Sequence, residues 1–184
     1  DYVMNHIHQD SSVYAANPAW FWPLEKGGTP CVCGAGCSWG PPDGLRCWFD
    51  PFLPAFDFQD PQARAFSVGN AVQWIKDTGV DGYRLDAVKH IEDQWLLDLR
   101  ARVTSEVQSV TGEHFYMVGE TYTGDRDLIA YYVRSTMLDG QFDFPLRMEI
   151  ASKLLMRKGK MSELATFMNS NDTYYGAGIM STFV

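Results

Sequence analysis

Asp81-Gly82-Tyr83-Arg84-Leu85-Asp86, read together with Phe115-Tyr116-Met117-Val118-Gly119-Glu120, decides the fold. Each is a short run of strand-forming residues that ends in a carboxylate. Between them lies an amphipathic helix pattern in which Trp95, Leu96, Leu99, Val103 and Val107 share one face and Gly112 marks the stop. A strand–helix–strand unit with that connection makes two adjacent parallel strands. Asp86 and Glu120 then emerge side by side on one rim of the sheet, where α/β barrels keep their sites. Two carboxylates placed that way are the equipment for breaking a glycosidic bond.

The regular pattern extends outward from this unit. Asp60 and Pro61 read as N-cap and first residue of a helix, Val68, Ala71, Val72 and Ile75 as its buried stripe, and Gly79 as its stop. The middle helix is expected from about residue 91 to 110. Beyond Glu120 the sequence predicts a short helix over 125–133 and a strand over 141–144. A helix marked by Leu146, Ile150 and Leu154 comes next, then another around 162–168 and a strand over 179–184. That alternation fits half of an eight-fold barrel or an open doubly wound sheet. No Gly-rich phosphate fingerprint follows any strand, which lowers a nucleotide-binding reading.

Residues 6–58 break the pattern. They are rich in Pro, Gly, Trp and Cys and have little periodicity, so they read as a small inserted subdomain rather than one long loop. All four cysteines, Cys31, Cys33, Cys37 and Cys47, lie there. Their spacing matches no standard zinc framework, although four thiolates in a loop-rich segment keep zinc open as an alternative. Disulfides in an exported protein are the plainer reading, with Cys37–Cys47 the first pairing expected. Cys31 and Cys33 sit too close along the chain to bond each other without strain.

A formal net charge of −8 and a pI near 4.8 argue against nucleic acid or an anionic membrane as partner. No apolar run approaches the roughly 20 residues of a membrane span. Aromatic residues make up 14% of the chain, and many fall in apparent loops. Such rings suit the flat C–H faces of sugars, although core packing is their commoner use. The chain opens on Asp1 without an initiator Met or a signal segment, and is expected to be a piece of a longer polypeptide.

Hydrolysis with retention of configuration needs a carboxylate nucleophile and a second carboxyl that gives and then takes a proton, about 5–5.5 Å apart. Adjacent strands roughly 4.8 Å apart place residues of matching height at that separation. Arg84, two residues before Asp86, shares its side of the strand and would hold it ionised. Glu120, with its pKa raised by burial and a charged neighbour, would be the acid/base. A purely structural Arg84–Asp86 ion pair beside a solvated Glu120 is the alternative from spacing alone.

Four motifs go further. Asp1-Tyr2-Val3-Met4-Asn5-His6, Leu53-Pro54-Ala55-Phe56-Asp57, Gly82-Tyr83-Arg84-Leu85-Asp86-Ala87-Val88-Lys89-His90 and Gly119-Glu120-Thr121 resemble conserved regions of the α-amylase family, glycoside hydrolase family 13. The resemblance covers essentially the whole chain. It implies a partial (β/α)8 TIM barrel running from the third barrel strand (residues 1–5) to the start of the seventh. A domain B insertion would occupy 6–58, and the barrel would continue over 59–184. It implies Asp86 as nucleophile, Glu120 as acid/base, Arg84 as the residue orienting Asp86, and Asp1 as a structural partner of Arg84. His6, Lys89 and His90 would bind substrate, His6 at the cleavage subsite and the other two on the leaving-group side. The implied activity is double-displacement hydrolysis of α-1,4-linked glucans such as starch or maltooligosaccharides, in a secreted or periplasmic protein without an organic cofactor.

Two departures from the family pattern stand out. The third acid of the family follows the seventh strand, beyond Val184, so this stretch alone is expected to be inactive. The family's Ca²⁺ site implies ligands at Asn5 and the His90 carbonyl plus a domain B carboxylate, and that last position is Ala55. Ca²⁺ takes six to eight oxygens, so the loss weakens the site, with Asp57 or Asp50 as substitutes. Three competing readings remain at this point. They are an α-glucan transglycosylase or maltose–trehalose-converting relative, a catalytically silent carbohydrate-binding member, and an aldolase-type barrel with Lys89 as Schiff base.

Overall fold

The computed structural model describes residues 1–175. In chain order its regular elements are α1 (Ser12–Ala16), β1 (Glu25–Lys26), β2 (Thr29–Pro30), α2 (Pro61–Thr78), β3 (Gly82–Leu85), α3 (Asp93–Val103) and α4 (Ser109–Thr111). They continue with β4 (Tyr116–Gly119), α5 (Arg126–Tyr132), β5 (Gly140–Gln141), α6 (Phe144–Ile150) and α7 (Met161–Tyr175). Strands β3, β4 and β5 lie side by side in that order, all parallel. Tyr2 adds a further parallel rung: its N–H donates to the Arg84 carbonyl at 2.9 Å and its carbonyl accepts from Asp86 N–H at 3.0 Å. The strand expected over 179–184 lies outside the described residues.

The helices begin and end for local reasons. Asp60 caps α2, its Oδ1 accepting from the N–H groups of Gln62 and Ala63 at 2.7 and 3.1 Å. Gly79 ends the helix in the left-handed conformation (φ 67°), its N–H returning to the Ile75 carbonyl. The buried face of α2 meets α3, where Trp95 is fully buried and donates its Nε1–H to Ser67 Oγ at 3.0 Å. Below the sheet Arg100 is buried as well. It donates to the carbonyls of Met137 and Phe115 and to Asp139, whose carboxylate also accepts from Met117 N–H at 2.7 Å. That network locks the approach to β5 against β4.

Three expectations are corrected. The middle helix starts at Asp93, because Val88–His90 forms a tight 3₁₀ turn and Ile91 leaves it extended and buried. It then passes through a π-helical turn over Thr104–Gln108 before Gly112 ends it at φ 73°. The strand expected over 141–144 is confined to Gly140–Gln141. Asp143 turns the chain there by capping α6 through Leu146 N–H at 3.0 Å, with Pro145 in the first turn. The last helix reaches Tyr175, well past residue 168.

The segment between His6 and Phe58 is closed at its neck by antiparallel pairing of His6 with Ala55. The expected Cys37–Cys47 pair is not formed; Cys31 bonds Cys37 and Cys33 bonds Cys47. The reason is backbone pairing. Cys33 N–H donates to the Trp48 carbonyl and Trp48 N–H to the Cys31 carbonyl, which sets Cys33 beside Cys47. A turn gathered on the Val32 carbonyl then brings Cys37 back to Cys31. Among the described residues no helix is long and apolar enough to cross a membrane.

Two stability measurements check this account. Asp60→Ala should cost about 1 kcal/mol in urea unfolding, and Asp60→Ser should recover most of it. Glu92, half-buried just before α3, is pushed up to about 7 by burial, with the charge of Asp57 adding. Its folded pKa lies above its unfolded value, so the stability it contributes is full in acid and is lost as pH rises towards and through 7. Between pH 5 and 8 that loss should be on the order of 2 kcal/mol, allowing for partial solvent screening, and Glu92→Gln should flatten the slope.

Candidate active site

Register places the two acids. Arg84 pairs with Val118 and Leu85 with Gly119, so Asp86 and Glu120 follow at the same height on neighbouring strands. Glu120 N–H donates to the Leu85 carbonyl at 2.8 Å and Val88 N–H to the Glu120 carbonyl at 3.0 Å, which knits the rim together. Gly119 is required by close approach. A Cβ there would lie 2.6 Å from Leu138 Cδ1 and 2.9 Å from Gln141 Oε1.

Arg84 joins the pair. Its Nη1 donates to Asp86 Oδ1 at 2.7 Å and its Nη2 to Glu120 Oε2, while Asp1 Oδ2 stands 3.9 Å from Nη1. Burial pushes the Glu120 pKa up. The Arg84 charge pulls it back, and hydrogen bonding to Asp86 and the Asp86 charge raise it again. The two carboxyls are therefore in hydrogen-bonding reach of each other as well as of one guanidinium.

Ala87 takes the left-handed conformation (φ 52°, ψ 38°), which an L residue adopts at a cost of roughly 1–2 kcal/mol. This turns the chain sharply after Asp86 and sends Lys89 and His90 back to the rim. Together with Asp86, Ala87 and Glu120 they border a cleft of about 570 Å³. Lys89 Nζ donates to the Tyr122 carbonyl at 2.7 Å, and burial lowers its pKa. The opposite wall is aromatic: Trp39 and Phe49 come from the segment 6–58 and Tyr122 from the loop after β4. None of these three was singled out from the sequence. The signal available was the excess of aromatics in irregular stretches, which does not say which of them face a cleft.

His6 is not among the residues bordering the cleft; its ring lies 5.1 Å from Phe49, with its pKa lowered by burial and partly restored by the Asp86 charge. A hydrogen-bond chain fixes both histidines. Asn5, buried, donates its Nδ2–H to the His90 carbonyl at 2.7 Å and accepts at Oδ1 from His6 Nδ1, 3.2 Å away. His90 Nδ1 lies 2.8 Å from the Gly44 carbonyl. A carbonyl only accepts, so the proton of each ring sits on Nδ1 and each Nε2 is left as an acceptor. Burial lowers the His90 pKa, which keeps that ring neutral near pH 7.

The same chain bears on Ca²⁺. Asn5 Oδ1 and the His90 carbonyl already have protein partners, and the third position is the fully buried Ala55. Among the described residues no group of three or more His, Cys, Asp or Glu side chains could hold a metal ion. Ca²⁺ takes six to eight oxygens, and Ala55 offers no side-chain oxygen at the third position.

The family model for the α-amylase catalytic domain matches residues 46–180, well over half of the chain. An α-amylase of Streptomyces lividans is 28% identical over 102 residues, covering 55% of this chain and 11% of the relative. An α-amylase of Dictyoglomus thermophilum is 32% identical over 112 residues, 58% of this chain and 21% of the relative. Among solved structures, α-amylase from Geobacillus thermoleovorans complexed with acarbose superposes with a TM-score of 0.78 at 25% identity, covering all of this chain and 39% of that one. The fold is thus of the TIM-barrel type, and the chain spans well under half the length of these relatives.

Excess chelator should leave the melting temperature unchanged. A drop of several degrees, reversed by added Ca²⁺, would mean that a cation binds despite Ala55.

Proposed function

The chain belongs to the α-amylase family, and we propose that it carries the carboxyl pair of a retaining glycoside hydrolase acting on α-1,4-linked glucans. The observation that supports this best is the single Arg84 guanidinium bonded to both Asp86 and Glu120. Two acids sharing one guanidinium suit the close pair of a retaining mechanism better than the spacing of about 6.5–9.5 Å in inverting pairs. Asp86 attacks the anomeric carbon while Glu120 gives its proton to the departing glycosidic oxygen. The resulting glycosyl ester at Asp86 is opened by water, whose proton Glu120 takes back. His6, Lys89 and His90 serve substrate binding, Lys89 and His90 from the border of the cleft.

On this reading residues 1–5 are the end of a barrel strand, 6–58 a domain B insertion and 59–184 the continuing barrel. Two disulfides suit a secreted or periplasmic protein. The aromatic wall also favours a second reading, transfer of the glycosyl unit to another sugar, because it limits water beside the ester. Product analysis separates the two: free maltooligosaccharides mean hydrolysis, and lengthened ones mean transfer.

The test is covalent trapping with 5-fluoro-α-glucosyl fluoride in the polypeptide that contains this chain. The adduct should map to Asp86, and Asp86→Asn should abolish labelling; an adduct on any other residue would overturn the assignment. Glu120 must be protonated to act as the acid, so the rate should fall on the alkaline side through its raised pKa. Glu120→Gln should remove that alkaline limb. It should also spare formation of the glycosyl ester from glucosyl fluoride far more than from maltooligosaccharides.

A further inference from the structure

The turn between α6 and α7 departs from the rest of the chain in both charge and exposure. After α6 the chain runs through a π-helical turn over Ala151–Leu155 and then reverses over 156–160 into α7. Residues 153–160 hold four of the protein's fifteen Lys and Arg residues and no Asp or Glu, in a chain whose formal net charge is −8. Apolar side chains that face water lie among these cations. Leu155 is 76% exposed and Met156 62%, and Leu154 and Met161 beside them are exposed as well.

Local bonds decide which charges stay available. Lys153 folds back onto both nearby acids, its Nζ 2.8 Å from Glu163 Oε2 and 3.8 Å from Glu149 Oε2. Arg157, Lys158 and Lys160 are exposed, and no carboxylate among the described residues forms an ion pair with them. The turn is also held in one shape. Met156 N–H donates to the Ala151 carbonyl at 2.9 Å, Lys158 N–H to the Ser152 carbonyl at 2.8 Å and Lys160 N–H to Glu163 Oε2 at 3.2 Å. Gly159 sits in the left-handed region at φ 88°, where an added Cβ would lie 2.5 Å from Glu163 Oε2 and 2.7 Å from Lys153 Nζ. A side chain there would force that ion pair apart.

Large apolar residues exposed next to one another mark a contact surface, and the neighbouring cations state what it contacts. An anionic bilayer matches both features: cationic groups meet the lipid headgroups while Leu and Met side chains enter the acyl boundary. A soluble polyanion would make no use of Leu155 and Met156. The charge of the whole chain opposes an anionic surface. Exposed charges farther apart than roughly 8 Å are largely screened at physiological salt, however, so the local excess governs contact.

We propose that the turn 153–161 is a peripheral docking surface for anionic lipid, which holds the protein at a membrane face without spanning it. None of its residues borders the cleft beside Asp86 and Glu120, and the inference stands apart from the glycosidase reading.

The experiment is co-sedimentation of the polypeptide that contains this chain with vesicles of phosphatidylcholine alone, and with vesicles carrying about one-third phosphatidylglycerol. The protein should pellet with the anionic vesicles, stay in solution with the neutral ones, and be released by raised salt. Leu155→Ser with Met156→Ser, and separately Arg157→Ser with Lys158→Ser, should each weaken that binding about tenfold or more. Both pairs are exposed, so the melting temperature and the turnover of α-glucosyl fluoride should keep their wild-type values. A wild type that ignores anionic vesicles, or binding that neither pair of substitutions weakens, would overturn the proposal. Binding weakened by the charge pair alone would overturn it too, because it would mean contact with any polyanion. Self-association without vesicles, abolished by the same substitutions, would assign the turn to a second copy of the chain and overturn it as well.

Discussion

One guanidinium carries the site. Two carboxylates in hydrogen-bonding reach repel each other, and their half-buried position strengthens that repulsion. Arg84 offsets it for both at once, because a planar fork of donors can face two acids that a lysine ammonium would serve less well. The arrangement needs Arg84 and Asp86 on the same side of β3, which the alternation of a strand supplies, and β4 in register beside it. A one-residue slip of β4 would turn Glu120 to the other face of the sheet and leave Arg84 with Asp86 alone. The buried Arg100–Asp139 network beneath the sheet and the close contact at Gly119 therefore bear on the chemistry, since both resist such a slip.

A second set of hydrogen bonds ties the rim to the segment that covers it. Asn5 lies three residues past the Tyr2 rung, His90 belongs to the turn after Asp86, and Gly44 lies in the segment between His6 and Phe58. Contacts of 2.7 and 2.8 Å connect all three. The pairing of His6 with Ala55 closes the same junction from the neck. Neutral hydrogen bonds of this kind contribute on the order of 1 kcal/mol each, but leaving Asn5 or the His90 carbonyl buried without a partner would cost more. The junction is thus held by matching donors to acceptors, and the same matching fixes which nitrogen of each histidine faces outward.

Much of this was legible in the sequence because the signals were local. Asp60-Pro61, the stripe from Val68 to Ile75 and Gly79 specify α2 within one segment. The alternation of β3 told which side Arg84 and Asp86 share. The features that were not legible depend on contacts between distant residues or on backbone conformation. The disulfide pairing follows from Cys33 lying beside Trp48, which no cysteine spacing encodes. Asp143 could equally have sat in a strand; only Pro145 hinted that it would cap a helix. Ala87 gives no sign of its positive φ, since alanine ordinarily avoids it. Arg100 reads as an ordinary charged helix residue, and its burial is decided by carbonyls of Phe115 and Met137 that the chain reaches only later.

The division of labour follows from where each part is fixed. The acids and Arg84 stand on parallel strands, whose hydrogen-bonded register leaves them little freedom. Trp39 and Phe49 stand on an irregular segment stapled by two disulfides and joined to the sheet mainly at its neck and through His90. Changes within that segment can reshape the aromatic wall without moving the guanidinium that holds the acids. Changes in β3 or β4 cannot alter one acid without disturbing the other. The carboxyl pair and the aromatic wall therefore stand on separate pieces of chain that meet at one turn. The strained Ala87 directs that turn so that Lys89 reaches the Tyr122 carbonyl and His90 the Gly44 carbonyl.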